Sequence, residues 1–445
     1  MEATPSLSAS EGAAAGSVAA EKPRRPVDPY IWGSYIFLVI VSIIELFSAS
    51  SQEVKMGDIY GPIIRHATFL AIGLVIMIAI QRIHFRRIYY AIPIFVIGSI
   101  VLMMMVLAVG VNINGARRGL QFGPVMLLPA EFLKLAVALG IAWILSNSRK
   151  KGTLGFTNGG IIACAVLVLL CSGLLFSHGL TNTLLLMGIS LCMMFVGGVS
   201  MRKMGYVVLV YAVIGGAAMM VKVSENKSRE LTPEEIELAR INQVDPSEVG
   251  RSANRSGVWT TRIRNHLRLN KAGDPITDEN KQEQLSYIAQ AHGGISGAGI
   301  GNSRENARLP LAFSDYIYAI IVEELGAVVA IFVLAFYMFL LGRAGRLAQV
   351  FKTTLPCLLV IGCALVICLQ ALFHICIVVG VFPVSGQPLP LISKGGTSII
   401  ATSIALGIML SASRWAARKT DSDETIQTEL SSLPENIATD NLSQL

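Results

Sequence analysis

Residues 355–379 read LPCLLVIGCALVICLQALFHICIVV, a run without a single Asp, Glu, Lys or Arg. A hydrocarbon core of roughly 30 Å needs about 20 apolar residues for one helical crossing, so this run can span a bilayer. Working outward, comparable runs lie at about 31–48, 63–81, 90–110, 130–146, 160–176, 180–198, 205–222, 315–341 and 396–412. The chain is therefore expected to be an all-α, polytopic membrane protein with ten transmembrane helices and a long outer loop, 223–314, between the seventh and eighth. Residues 1–29 are expected to form a disordered cytoplasmic tail, 30–413 the membrane domain, and 414–445 a second disordered cytoplasmic tail.

Composition agrees, because 53% of the 445 residues are hydrophobic and 15% charged, with a mean hydropathy of +0.61. Too few polar groups remain to cover a soluble globule. The net charge of +7 does not point to nucleic acid, since its cations cluster in short segments between apolar runs. Those clusters are Arg24 and Arg25; Arg82, Arg86 and Arg87; Arg149 to Lys151; Arg202 and Lys203; Arg343, Arg346 and Lys352; and Arg414, Arg418 and Lys419. Every second connection is thus basic, which places both termini in the cytoplasm. Cys164, Cys171, Cys192, Cys357, Cys363, Cys368 and Cys376 all lie in apolar runs without CxxC pairs, and the six histidines lack zinc-like spacing. Free buried thiols and no structural metal are expected.

Three outward segments mix Gly, Pro and charge. The first, NINGARRGLQFGPVMLLPAEFLKL from residue 112, sets Arg117 and Arg118 on the side that should be poor in cations. It then starts a helix at Pro129 with Glu131 and Lys134 one turn apart, close enough to pair on one face. Snorkelling to headgroups competes as the reading of the arginines, and a structural ion pair as the reading of Glu131 and Lys134. The second segment ends GGISGAGIGNSRENARLPLAFSDYIYAIIVEELG and puts Asp315 at the mouth of the eighth run, as a tuned base or simply as a helix N-cap. The third, GVFPVSGQPLPLISKGGTSII, is too rich in Pro and Gly to tolerate lipid and must line a cavity or be buried in protein. Lys394 adds a cation there, unless it snorkels. Within the long loop, Thr232, Pro233 and Glu235 read as the start of a short helix, and TTRIRNHLRLN from residue 260 as a surface helix. Walker, GxSxG and HExxH signatures are missing, so the residues themselves lead to a membrane cavity with acids and cations, and no further.

NGARR with PAEFLKL, then GAGIGNS with LPLAFSDYIYAIIVEELG, then FPVSGQPLPLISKGGTSI resemble, in order, the hallmark segments of the SEDS family. The GNS, SDYIYAIIVEELG and GQPLP stretches look closer to its cell-division member than to its elongation member. The resemblance implies a peptidoglycan glycosyltransferase that polymerises lipid II at the outer face of the bacterial cytoplasmic membrane, at the division septum. It also implies a class B penicillin-binding protein and other divisome proteins as partners. A lipid II flippase, a noncatalytic divisome scaffold and an elongation-type polymerase are the rival readings. By position, Asp315 matches the family's essential acid, and Glu131 with Lys134 its helix acid and lysine. Arg117 and Arg118 match the arginines after NGA. Gln282, Ser286, Gly293 and Gly294 match the pattern leading into the second segment, and Ser393, Gly395 and Gly396 the third. Lys394 stands where an aromatic is common, His374 where Asn is usual, and SHGLTNT (177–183) replaces the usual QPDLGT with loss of its acid. A divalent cation, Mg or Mn, carried by the pyrophosphate is compatible with this chemistry; no other cofactor is implied.

The topology is checked by cysteine-accessibility labelling. A cysteine at Asn270 should react from outside and one at Lys150 only from inside, and labelling of both from one side would overturn the arrangement.

Overall fold

The computed structural model describes residues 26–53, 61–113, 116–122, 125–149, 155–176, 179–227, 276–277, 280–434 and 437. The first three helices are α1 (Pro29–Glu53), α2 (Gly61–Arg82) and α3 (Phe85–Val109). Strands β1 (Val111–Ile113), β2 (Ala116–Phe122) and β3 (Val125–Leu127) follow, then α4 (Pro129–Asn147), α5 (Asn158–Phe176), α6 (Leu180–Val196) and α7 (Met201–Lys227). After a long connection come α8 (Lys281–Gly293), the one-turn α9 (Ala312–Asp315), α10 (Ile317–Val350), α11 (Thr354–Val378), α12 (Gly396–Trp415) and α13 (Asp423–Ser432).

Each expected apolar run falls in a helix. Among the described residues eight of these helices are long and apolar enough to cross a membrane, and α6 is apolar but shorter. The expected helical segments around Thr232 and at 260–270 lie outside the described residues.

Burial separates the centre of the bundle from its lipid-facing shell. In the apolar spans of α4 and α12, 83% of residues are buried, against 22% in α2 and α3. On α3 the buried residues Phe85, Ile88, Tyr89, Ile92, Ser99, Met103 and Val106 form one stripe. Ile94, Ile97, Val101 and Met104 point away from it, as apolar side chains can where lipid replaces water. Around α4 the apolar residues Leu133, Leu135, Val137, Leu139 and Ile141 are all buried, so other helices enclose it.

The strands were not expected. β1–β2–β3 form a small antiparallel sheet in which Leu120 pairs with Leu127 and Phe122 with Val125. Their alternation is too brief to stand out beside hydrophobic runs that are far longer.

The C-terminal tail is the second correction. Acids after Lys419 suggested a chain without structure, yet α13 forms, with Asp423 and Glu424 in its first turn where the helix dipole favours them. Ile426, Leu430, Leu433 and Ile437 succeed one another at spacings of four, three and four, and all are buried. Ile426 and Leu430 cluster with Ala417, while Leu433 and Ile437 join the main core.

Helix α10 contains a break. Gly326 has φ 86° and ψ 166°, outside the helical region. The glycine-rich segment after α8 lies in the gap and supplies the missing hydrogen bonds. Ala298 N–H donates to Glu323 O (2.8 Å), Gly299 N–H to Glu324 O (3.0 Å), and Ala327 N–H to Gly294 O (3.0 Å). Glu323, Glu324 and Gly326 are buried, and the two interruptions satisfy each other. The approach leaves no room for a side chain, since a Cβ on Gly326 would lie 2.4 Å from Ile295 O.

Gly326→Ala should therefore destabilise the fold by more than the roughly 1–3 kcal/mol of a strained backbone alone. Thermal unfolding in detergent should show a drop of several degrees. Gly188→Ala in α6, which meets nothing within 4 Å, serves as the control, and equal melting of the two variants would refute the splice.

Candidate functional site

A cavity of about 500 Å³ lies at the end of the bundle where α4, α10 and α12 begin. Met126 of β3, Ala130 and Glu131 of α4, and Leu180, Thr181 and Asn182 of α6 line one side. Ser314 and Asp315 of α9, the segment Phe382–Pro388, Lys394 and Gly395 line the other. Among the described lining residues the charged ones are Glu131, Asp315 and Lys394, and they come from three motif segments.

Helix α4 starts with Pro129 in its first turn, which needs no backbone donor there, and so places Glu131 at the cavity edge. Lys134 stands behind it with no exposed surface, and its Nζ donates to Glu131 Oε1 at 2.8 Å and to Gln370 Oε1 at 2.7 Å. Gln370 Nε2 in turn donates to Glu131 Oε2 (3.0 Å) and to Pro388 O (3.1 Å). One network thus ties α4, α11 and the proline-rich segment together. The ion-pair reading and the site reading of Glu131 and Lys134 meet here, because Glu131 belongs to both.

Asp315 ends the one-turn α9, and its Oδ1 accepts from Ser314 Oγ at 2.8 Å. It does not cap α10, whose N-cap is Tyr316 without a side-chain bond. Leu311, at φ 58°, turns the chain into α9. Ser393 Oγ accepts from Leu389 N–H (2.7 Å) and donates to Ser314 O (2.8 Å), while Lys394 N–H donates to Phe313 O (2.9 Å). The third motif segment is therefore laced directly to the residues beside Asp315.

Other expected residues lie apart from the cavity lining. Ser286 is buried on α8, where its Oγ donates to Val378 O at 3.0 Å, and Gly294 comes just after the end of α8 with φ 54°. Gln282, in the first turn of the same helix, is half-buried. Ser286 braces α8 against α11, and Gly294 ties its end to the break in α10. Arg117 and Arg118 have their backbone in β2, with Arg117 opposite Asn112. β2 pairs with β3, the strand that gives Met126 to the cavity.

Two contributors, Gln370 and Asn182, were not foreseen. Gln370 is an amide in the otherwise almost wholly apolar run 355–379, and an isolated polar group in a spanning helix was itself the signal. Asn182 lines the cavity with its Oδ1 buried and unpartnered, in the segment that replaces the acid-bearing pattern. Glu323 has no exposed surface and accepts from His292 Nδ1 (2.9 Å) and Arg304 N–H (2.9 Å), while Glu324 accepts from Gly301 N–H (3.0 Å). Both acids clamp the loop that precedes Asp315.

Among the described residues no group of three or more His, Cys, Asp or Glu could hold a metal ion. A metal cage made by these residues alone does not fit.

The family model described as "Cell cycle protein", covering FtsW, RodA and SpoVE, matches residues 29–235 and 256–418. The probable peptidoglycan glycosyltransferase FtsW of Geobacter metallireducens is 28% identical, over 85% of this chain and 92% of that protein. A protein of the same name from Dichelobacter nodosus is 32% identical, over 68% and 67%. A solved structure from a peptidoglycan synthase complex that coordinates polymerization and crosslinking shares the fold, with a TM-score of 0.63 at 24% identity, covering 89% of this chain and 99% of that one.

Lys134→Met should leave the buried Glu131 carboxylate without its cation and cost roughly 3–5 kcal/mol. Removing both charges, as Glu131→Gln with Lys134→Met, should be less harmful than Lys134→Met alone. Unfolding midpoints in detergent measure both, and a double variant weaker than either single would rule out the pairing.

Proposed function

The chain belongs to the FtsW, RodA and SpoVE family of cell cycle proteins, and from that premise we propose how it works as a multi-pass membrane peptidoglycan glycosyltransferase. The observation that supports this reading best is the convergence of Asp315, Glu131 and Lys394 on one cavity. The substrate is lipid II, taken at the outer face of the cytoplasmic membrane during septal wall synthesis, in company with a class B penicillin-binding protein and other divisome proteins.

The sugar 4-hydroxyl of one lipid II attacks the anomeric carbon of another. A new carbon–oxygen bond forms as the bond to the polyprenyl pyrophosphate breaks, and the electron pair departs with that anion. Asp315 takes the hydroxyl proton. A positioned carboxylate acting this way contributes typically 10²- to 10⁴-fold. Ser314 Oγ, donating to Oδ1, orients the carboxylate.

The leaving pyrophosphate needs positive charge where its own charge develops. Lys394 provides it at the cavity wall, and Arg117 and Arg118 are assigned the same task from β2. Lys134 acts through Glu131, holding that carboxylate in place as a hydrogen-bond acceptor for the sugar. Ser393 and Gly395 hold Lys394 in place, while Gln282, Ser286 and Gly294 support the loop before Asp315. Asn182 offers an acceptor to a sugar hydroxyl or amide. A Mg or Mn ion arriving on the pyrophosphate belongs to the substrate, and no step here depends on it.

Asp315→Asn keeps the size of the side chain and removes the proton acceptor. Purified variant should polymerise lipid II roughly 10²-fold or more slowly while retaining its melting temperature. Activity within a few-fold of wild type would take Asp315 out of the mechanism and favour the flippase reading.

A further inference from the structure

Gln387 lines the 500 Å³ cavity, yet it is 1% exposed and its side-chain Oε1 has no hydrogen-bond partner among the described residues. A buried carboxamide left this way is costly, because nothing replaces the water it gave up. Its backbone is in the opposite condition. His374 Nδ1 lies 2.6 Å from Gln387 O, and since a carbonyl can only accept, the ring nitrogen donates. Gln387 N–H donates to Ser385 O at 3.1 Å. One turn earlier on α11, Gln370 Nε2 holds the carbonyl of Pro388, the next residue. Two consecutive carbonyls are thus pinned to one helix, while the side-chain oxygen of Gln387 is left unanswered.

Asn182 of α6 is a second case, a lining residue whose Oδ1 is buried and unpartnered. Both orphans are acceptors, so whatever completes them must donate. A pyrophosphate at neutral pH accepts almost throughout, and a polyprenyl chain has no polar hydrogen. The lipid carrier therefore does not answer to this description. An N-acetylated sugar does, because it carries hydroxyls and an acetamide N–H. The last torsion of a Gln or Asn side chain is soft, so either amide can turn to meet such groups.

We propose that Gln387 is a specificity-determining residue that hydrogen-bonds the sugar of the substrate, and that His374 is a positioning residue that sets it in the cavity wall. A polar group kept unpaired for its ligand discriminates strongly, since a molecule without the matching donor leaves it unpaired. The inference rests on the proposed function, in which this cavity receives a lipid-linked disaccharide.

The test compares three ligands on the full-length protein in detergent: lipid II, lipid II whose peptide has been removed by an amidase, and undecaprenyl pyrophosphate. Gln387→Met should weaken binding of both sugar-bearing ligands about tenfold, as for the loss of roughly one hydrogen bond, and leave undecaprenyl pyrophosphate within about twofold of wild type. His374→Phe, which removes the donor to Gln387 O, should weaken the same two ligands by a few-fold and add little to Q387M. Gln387→Asn, whose amide is drawn back by one methylene, should fall between Q387M and wild type, and it takes the place of Q387M if that variant does not fold. Equal losses for all three ligands would reveal a structural role alone and overturn the proposal, as would lipid II binding by Q387M indistinguishable from wild type. A loss confined to lipid II that keeps its peptide would give the contact to the peptide and overturn it too. Wild type that binds the sugar-bearing ligands but makes no polymer removes the enzyme reading, and the sugar contact is still decided by the three bindings.

Discussion

A backbone buried in a membrane protein must find every hydrogen bond within the protein, and the break in α10 shows what that demand builds. Once Gly326 leaves the helical region, the carbonyls of Glu323 and Glu324 lose their partners in the helix, and the segment 297–299 provides replacements. That segment can approach only because Gly297 and Gly326 have no side chains to collide. The carboxylates of Glu323 and Glu324 then fasten residues 301–305. The stretch from Leu309 to Asp315 is thereby launched from a rigid base at the cavity mouth. The acid assigned to the chemistry thus depends on a helix interruption more than two turns away from it along the chain.

A second constraint comes from charge. The Glu131, Lys134 and Gln370 network satisfies its charges internally and also grips Pro388 O, so the cost of burying it is offset by geometry it imposes on a mobile-looking sequence. Ser393 repeats the device with uncharged partners, joining Leu389 to Ser314. A cavity walled this way is preorganised, which is how fixed dipoles and charges favour a transition state without rearranging during the reaction.

The helical part of this architecture was legible because lipid-spanning runs are long and nearly free of charge, as in 355–379. The sheet at 111–127 was not, since one seven-residue strand between two of three residues leaves too little alternation to register. Nor was α13, where counting acids hid a stripe of Ile426, Leu430, Leu433 and Ile437. In the site, Glu131, Asp315 and Lys394 stood out as charges beside apolar runs. Gln370 and His374 were visible as polar residues inside such a run, but sequence could not say which neighbours they would meet. Those neighbours, Pro388 for one and Gln387 for the other, come from the proline-rich segment after the helix has ended.

The packing of α13 bears on how the protein is made. Its apolar stripe follows the described spanning helices along the chain, so it is synthesised after they are. Lys352 N–H donates to Ala417 O and Lys419 N–H to Val350 O, so the connection leading to α13 is stitched to the junction of α10 and α11. A product that terminates early, even one that has inserted all its helices, leaves Ala417 and part of the core uncovered on an aqueous face. Such exposed apolar surface is what quality-control proteases and chaperones recognise, so α13 shields the bundle from them.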